Sequence, residues 1–155
     1  MENKAGIYIV NNKGEILMGH PTGNKYKFWS IPKGKMDKGE STWQTAMRET
    51  YEESNIDFRD IELDKVYELP SVKYASGKKR LYPFVVMECN NQLEFWELDI
   101  KCNSTVSEDS KWNAGKLEFD EFKWCSFEEA EEMLHSSQKS SIEIIRDIYK
   151  DCNGG

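Results

Sequence analysis

Residues 34–56 read Gly34-Lys-Met-Asp-Lys-Gly-Glu40-Ser-Thr-Trp-Gln-Thr-Ala-Met-Arg48-Glu49-Thr-Tyr-Glu52-Glu53-Ser-Asn55-Ile56. Gly34, Glu40, the Arg48-Glu49 pair and the Glu52-Glu53 pair stand at fixed offsets from one another. Ser41 followed by Gln44 is a capping-box signal, so a helix is predicted to begin there. Trp43, Ala46, Met47, Thr50 and Ser54 then fall on one helical face. Glu49, Glu52 and Glu53 project from a different side, because residues three and four apart are neighbours on a helix. Three like charges so close repel each other, and a bound divalent cation would remove that cost. Oxygen-rich carboxylate clusters of this kind hold Mg²⁺ against phosphate. The ordinary alternative is a solvated acidic helix face.

Outward from this helix the chain reads as alternating short strands and further helices. Residues 5–10, the turn 11–14 and residues 15–19 suit a hairpin. Residues 28–31 form a short apolar run ended by Pro32, and residues 33–39 read as a loop. Strands are expected over residues 61–69 and 81–88, with another within residues 90–100. Residues 104–115 are polar and turn-rich, as in an exposed insertion. Residues 117–125 suit a strand with a bulge. Ser126 with Glu129 predicts a helix over residues 127–135, and a last helix should run from Ser140 or Ser141 to about Tyr149, with Ile144, Ile145 and Ile148 on its apolar side. Strands flanked by a central and a C-terminal helix imply an α/β sandwich.

The chain has 155 residues, a length that suits one domain spanning 1–155 with a substantial core. Its net charge of −7 argues against a general nucleic-acid coat, which would be basic. A nucleotide substrate remains compatible, since a cation and a few local lysines offset phosphate charge. No apolar run follows the opening Met-Glu-Asn-Lys and no stretch reaches a membrane span, so no leader and no membrane partner are expected. Cys89, Cys102, Cys125 and Cys152 show no CxxC or zinc spacing, which reads as reduced thiols in a cytoplasmic protein.

The 34–56 pattern resembles the Nudix box: Gly, five residues, Glu, seven residues, Arg-Glu, an aliphatic, any residue, Glu-Glu, any residue, Gly, an aliphatic. Every charged position is filled. Thr50 replaces an aliphatic and keeps a methyl to pack, while Asn55 replaces the second Gly and is the next-best residue at a left-handed helix end. The resemblance implies an α/β/α sandwich around a central mixed β-sheet. It also implies Mg²⁺-dependent hydrolysis of a phosphoanhydride in a nucleoside-diphosphate-linked substrate, with Mn²⁺ as a substitute cation. Carried over residue by residue, the Glu52-Glu53 pair would ligate the cation and Glu49 would ligate it or act as base. The carbonyl of Gly34 would be a backbone ligand, and Arg48 with Glu40 would brace the ligands.

The segment from Glu118 to Trp124 resembles the one that supplies a late catalytic glutamate in RNA 5′-pyrophosphohydrolases and dinucleoside polyphosphate hydrolases. Glu118 would then be an extra ligand or general base, with Glu121 the fallback; the alternative for either is a solvent-facing strand charge. Trp29-x-x-Pro32-Lys33-Gly34 resembles the dinucleoside polyphosphate branch, although Trp29 and Trp124 read more readily as core. Lys33 and Lys35 flank Gly34 and are natural phosphate clamps, or else solubilising loop lysines. Lys79 and Arg80, within the basic run from Lys78, would hold distal phosphates or an RNA 5′ end, against the commoner reading of a charged hairpin tip. Tyr74 or Tyr82 would stack a base, against ordinary packing. His20 and His135 are assigned no role.

The substrate these residues favour is a dinucleoside polyphosphate or the 5′-triphosphate end of RNA. The rivals are a nucleotide-pool pyrophosphatase acting on free NTPs or nucleotide sugars, and a non-catalytic nucleotide-sensing module of the same fold.

Overall fold

The computed structural model describes residues 1–23, 28–59, 63, 65–88 and 94–152. Its centre is strand β1 (Glu2–Val10), in which every residue from Ala5 to Val10 is buried. Such a run, apolar on both sides of the pleat, needs cover on both faces. Ala5, Ile7 and Ile9 point into one cluster with Leu17, Ala46, Ile56 and Phe58, while Tyr8 and Val10 point into the other with Ala130, Leu134, Ile142 and Ile145. The period of two thus sorts one strand between two cores.

Beside β1 lie β2 (Glu15–Pro21), antiparallel, and β6 (Lys79–Met87), parallel. Beyond them stand β7 (Phe119–Ser126) against β2 and β4 (Val66–Glu68) against β6, giving the order β4-β6-β1-β2-β7 among the described residues. Two short strands branch off this path: β3 (Lys33–Lys35) on β1 and β5 (Val72–Lys73) on β6. Helix α1 (Thr42–Ser54) covers one face, and α2 (Phe127–Met133) with α3 (Lys139–Cys152) covers the other. The fold is an α/β/α sandwich around a mixed sheet, as expected. No helix among the described residues is long and apolar enough to cross a membrane.

Helix α1 starts and stops where its sequence says. Ser41 Oγ accepts from the Gln44 N–H at 3.1 Å, and Gln44 Oε1 accepts from the Ser41 N–H at 2.9 Å. Asn55 ends the helix in the left-handed region at φ 66°. Its side chain also works there: Nδ2 donates to the Asp99 carbonyl at 3.0 Å and Oδ1 accepts from Asn103 at 2.8 Å. A glycine would supply the turn without these ties.

Several expectations are corrected. Residues 33–35, read as loop, form β3, with Ala5 opposite Gly34 and Gly6 opposite Lys33. A Cβ on Gly6 would strike Pro32 and Lys33, so glycine permits this close approach. Within 90–100, residues Phe95–Glu97 form a 3₁₀ turn rather than a strand, and residues 90–93 lie outside the described residues. The Phe95 N–H donates to the Glu88 carboxylate at 3.0 Å and its ring lies buried by Phe58 and Trp124, which anchors a turn in place of a ladder. Of the strand expected over 61–69, the ladder takes Val66–Glu68, and residues 61, 62 and 64 lie outside the described residues. The bulge expected near 117–125 is present, as a register shift opposite His20 and Pro21. Cys102 and Cys125 are free thiols, but Cys152 is disulfide-bonded, contrary to the reading of reduced thiols. Spacing along a chain does not report which thiols meet in space. Cys89 lies outside the described residues.

Candidate active site

Helix α1 packs on β1 and β3, so its charged side faces the strand that carries Gly34. Arg48 organises that side. Its Nε donates to Glu40 Oε2 at 2.8 Å and its Nη2 to Glu40 Oε1 at 3.0 Å, a bidentate pair. Its Nη1 reaches Glu49 at 2.9 Å and Glu52 at 3.3 Å, and its Nη2 also donates to the Lys35 carbonyl at 3.0 Å. Glu40 is held in turn by the Asp37 N–H and the Thr45 hydroxyl, each at 2.9 Å. The helix, β3 and the intervening loop are thereby tied through one guanidinium.

The Arg48 hydrogen bonds hold the Glu40 carboxyl down to about 2. A depressed carboxylate contributes stability above its unfolded value, and that contribution is lost as pH falls through the folded value. Glu40→Gln is therefore expected to be less stable than the wild type at pH 7, with the two urea-unfolding curves merging as the pH approaches 2. Parallel curves across that range would show that Glu40 is not held by charge.

Glu53, expected as a cation ligand with a solvated acidic face as the alternative, is buried, 6% exposed. Its Oε1 accepts the Lys33 N–H at 2.8 Å, and it lines one cavity with Glu118. Burial first, then Glu118, pushes Glu53 well above the ordinary carboxylate range. Glu49 is also raised, by burial and by its neighbour Glu52, with Arg48 opposing. Gly34 lies directly under Glu49, where a Cβ would collide with the Glu49 carboxyl. Glu118, just before β7, is fixed by two backbone bonds: its N–H donates to the Ser104 carbonyl at 3.0 Å and its carbonyl accepts from Thr22 at 2.9 Å.

A cavity of about 570 Å³ opens over these groups. Glu49, Glu53, Glu118, Gly34, Lys33 and Lys35 all line it. Glu52 does not line it and stands on Arg48, half-exposed. Glu121 is exposed and lies opposite His20 in the β2–β7 register, while the His20 ring meets Asp120. Lys79 and Arg80 begin β6 at the end of a hairpin, with Arg80 donating to the Ser71 hydroxyl at 2.9 Å. Tyr82 packs against the α1-side core, the ordinary alternative for it. Tyr74 is outside the cavity lining; the Lys4 and Lys33 ammonium groups lie 6.0 and 5.7 Å from its ring, and its hydroxyl is buried without a partner among the described residues. Among the described residues no three His, Cys, Asp or Glu side chains already converge into a metal cage. Arg48 engages Glu49 and Glu52, while Glu53 and Glu118 share the cavity wall.

Sequence reading missed Lys4 and Gln138, both of which line the cavity. Lys4 arrives because β1 pairs with β3, setting Lys4 opposite Lys35. Neither residue sits in a local pattern that marks it.

A family model for the NUDIX domain matches residues 2–148. The chain is similar to the RNA pyrophosphohydrolase of Psychrobacter arcticus, 28% identical over 128 residues that span 79% of this chain and 68% of that protein. It is 26% identical over 165 residues to the RNA pyrophosphohydrolase of Pelagibacter ubique, spanning 97% of this chain and 88% of that protein. Among solved structures, the Ap4A hydrolase of C. elegans in a binary complex superposes with a TM-score of 0.62 at 23% identity, covering 94% of this chain and 96% of that one. The MutT protein of Methanosarcina mazei gives 0.63 at 21% identity, covering 96% and 95%. The Arg48-centred brace, the carboxylates over Gly34 and the matched 2–148 span agree: the chain belongs to the Nudix family of hydrolases.

Proposed function

We propose that the chain hydrolyses a phosphoanhydride bond in a dinucleoside polyphosphate or the 5′-triphosphate end of RNA, with Mg²⁺ as cofactor. The observation that carries this reading is the meeting, in one cavity, of Glu49, Glu53 and Glu118 with Lys4, Lys33 and Lys35. Two relatives named RNA pyrophosphohydrolase support the RNA end as a substrate class.

The donor set fits a hard divalent cation. All its side-chain donors are carboxylate oxygens, and burial first, then neighbouring carboxylates, raises Glu49 and Glu53, a cost that a bound cation would offset. Glu49, Glu52, Glu53, Glu118 and the Gly34 carbonyl would hold the cation, with Mn²⁺ an acceptable substitute. When bound, it would neutralise the phosphate oxygens and lower the barrier to attack by water. Arg48 and Glu40 keep Glu49 and Glu52 in place. Lys33, Lys35 and Lys4 would hold phosphate oxygens as point charges. Glu118, anchored through its backbone on both sides, would take the proton of the attacking water. Its place in the cavity, against the exposed position of Glu121, supports Glu118 for that task.

The test is product analysis on a panel of 5′-triphosphate RNA, diadenosine tetraphosphate, free NTPs and a nucleotide sugar, with Mg²⁺ present. The RNA end or the dinucleotide is expected to give the highest kcat/KM. Preference for free NTPs or nucleotide sugars would move the chain to the pool-cleaning reading, and binding without turnover would move it to the sensing one.

A further inference from the structure

Glu118 stands at the foot of the polar insertion, which folds as a hairpin-like loop. Thr105 bridges Leu117 in the antiparallel sense, the Val106 N–H donates to the Lys116 carbonyl at 2.7 Å, and the Gly115 N–H donates to the Val106 carbonyl at 3.0 Å. The Glu118 N–H closes this stem on the Ser104 carbonyl. From Ser107 to Leu117 every residue is exposed except Asn113, which is half-buried. Asn113 reaches out of its own loop: its Nδ2 donates to the carbonyl of Thr22, just past the end of β2, at 3.1 Å. It is held at φ 59°, a left-handed conformation that asparagine tolerates better than most residues. Gly23 makes room for it, since a Cβ there would overlap the Asn113 amide.

Thr22 joins this contact to the cavity. Its carbonyl accepts from Asn113, and its N–H donates to the Glu118 carbonyl at 2.9 Å. The bonds form a closed ring, from Glu118 to Thr22, from Thr22 to Asn113, and from Asn113 back through the stem to Glu118. The ring stands where the sheet weakens. The β2–β7 ladder shifts register between His20 and Pro21, and proline has no N–H to donate, so regular pairing gives out beside Phe119. Thr22, Val106, Ser107 and Glu118 all line the cavity, whereas Asn113 is outside its lining.

We infer that Asn113 is a positioning residue for Glu118: its amide ties the loop tip to Thr22 and so fixes the backbone that carries the Glu118 carboxylate. This rests on the reading of Glu118 as the group that takes the proton of the attacking water. Asn113 acts through Glu118, so its effect falls on the chemical step and not on substrate affinity.

Asn113→Gly keeps the positive φ and removes the amide. It is expected to lower kcat about tenfold with KM within about twofold, because a small displacement of a catalytic group slows the chemical step. Asn113→Asp should lose as much at pH 8, since a carboxylate cannot donate to the Thr22 carbonyl. Trp112→Ala, one residue away and 79% exposed, should leave kcat unchanged. Asn113→Gly combined with Glu118→Gln should be no slower than Glu118→Gln alone, because two changes that act through one group do not add. Amide hydrogen exchange by NMR reads the ring without turnover: the Thr22 and Glu118 amides should exchange at least about tenfold faster in Asn113→Gly, with the α1 amides unchanged. Wild-type kcat in Asn113→Gly, an equal loss in Trp112→Ala, a further tenfold loss in the Glu118→Gln background, or unchanged exchange at Thr22 and Glu118 would overturn the inference. Wild-type turnover in Glu118→Gln would instead defeat the reading of Glu118 as the proton acceptor. The exchange rates then still decide the ring: faster exchange keeps Asn113 as the residue that fixes Glu118, and unchanged exchange removes it.

Discussion

Glu53→Gln is expected to lower kcat by at least ~10²-fold while making the protein no less stable. Loss of a charged group that helps to stabilise transition-state charge costs several kcal/mol of barrier. The stability of the variant should move the other way. Burial and Glu118 raise the folded-state value of Glu53 far above its unfolded one, so its contribution to stability is full below the unfolded value and is lost as pH rises through the folded one. Glutamine keeps the shape, still accepts the Lys33 N–H through its amide oxygen, and carries no charge to bury. At pH 8 the variant should therefore melt at or above the wild-type temperature in metal-free buffer. A folded variant with wild-type turnover would remove Glu53 from the site. A variant that melts well below the wild type would show that the carboxylate is structural. Glu52→Gln should share the loss of turnover, although its carboxyl stands on Arg48 outside the cavity lining.

Gly34→Ala should cost about 10²-fold in kcat/KM through a single methyl group. A Cβ at residue 34 would occupy the space of the Glu49 carboxyl, so either that carboxylate or β3 must shift. Displacement of a catalytic group by about 1 Å is enough for a loss of that order. Gly39→Ala is the control. Gly39 has φ +87° and open space around it, so alanine there is strained but touches nothing. It should cost about 1–2 kcal/mol of stability and leave kcat/KM near wild type. Equal kinetic losses in the two variants would indicate general loosening of the 34–40 loop rather than a clash at Glu49.

Local chemistry made α1, its two caps and the β1–β2 hairpin legible in the sequence. A capping box, an asparagine at a left-handed end and an alternating apolar run each act within a few residues. β3 was not legible, because Lys33-Gly34-Lys35 has no alternation and its pairing depends on Gly6 across the sheet. The 3₁₀ turn at Phe95–Glu97 was hidden for a similar reason, since the carboxylate that anchors it is Glu88. The box residues were recognisable from spacing, but the unequal surroundings of their carboxylates were not. Burial of Glu53 and exposure of Glu52 follow from how α1 lies on β3, which spacing along the helix does not encode. Lys4 and Gln138 reach the cavity through tertiary packing alone.

The central claim is that the carboxylates over Gly34 act through a divalent cation. Its most direct test is the rate of hydrolysis across the nucleotide panel as Mg²⁺ is titrated into chelator-stripped protein, for the wild type and for Glu53→Gln. The account predicts no turnover without cation, saturable activation of the wild type, and a variant at least ~10²-fold slower at saturation. Turnover that persists in excess chelator, or a Glu53→Gln protein that matches the wild type at saturating Mg²⁺, would contradict it.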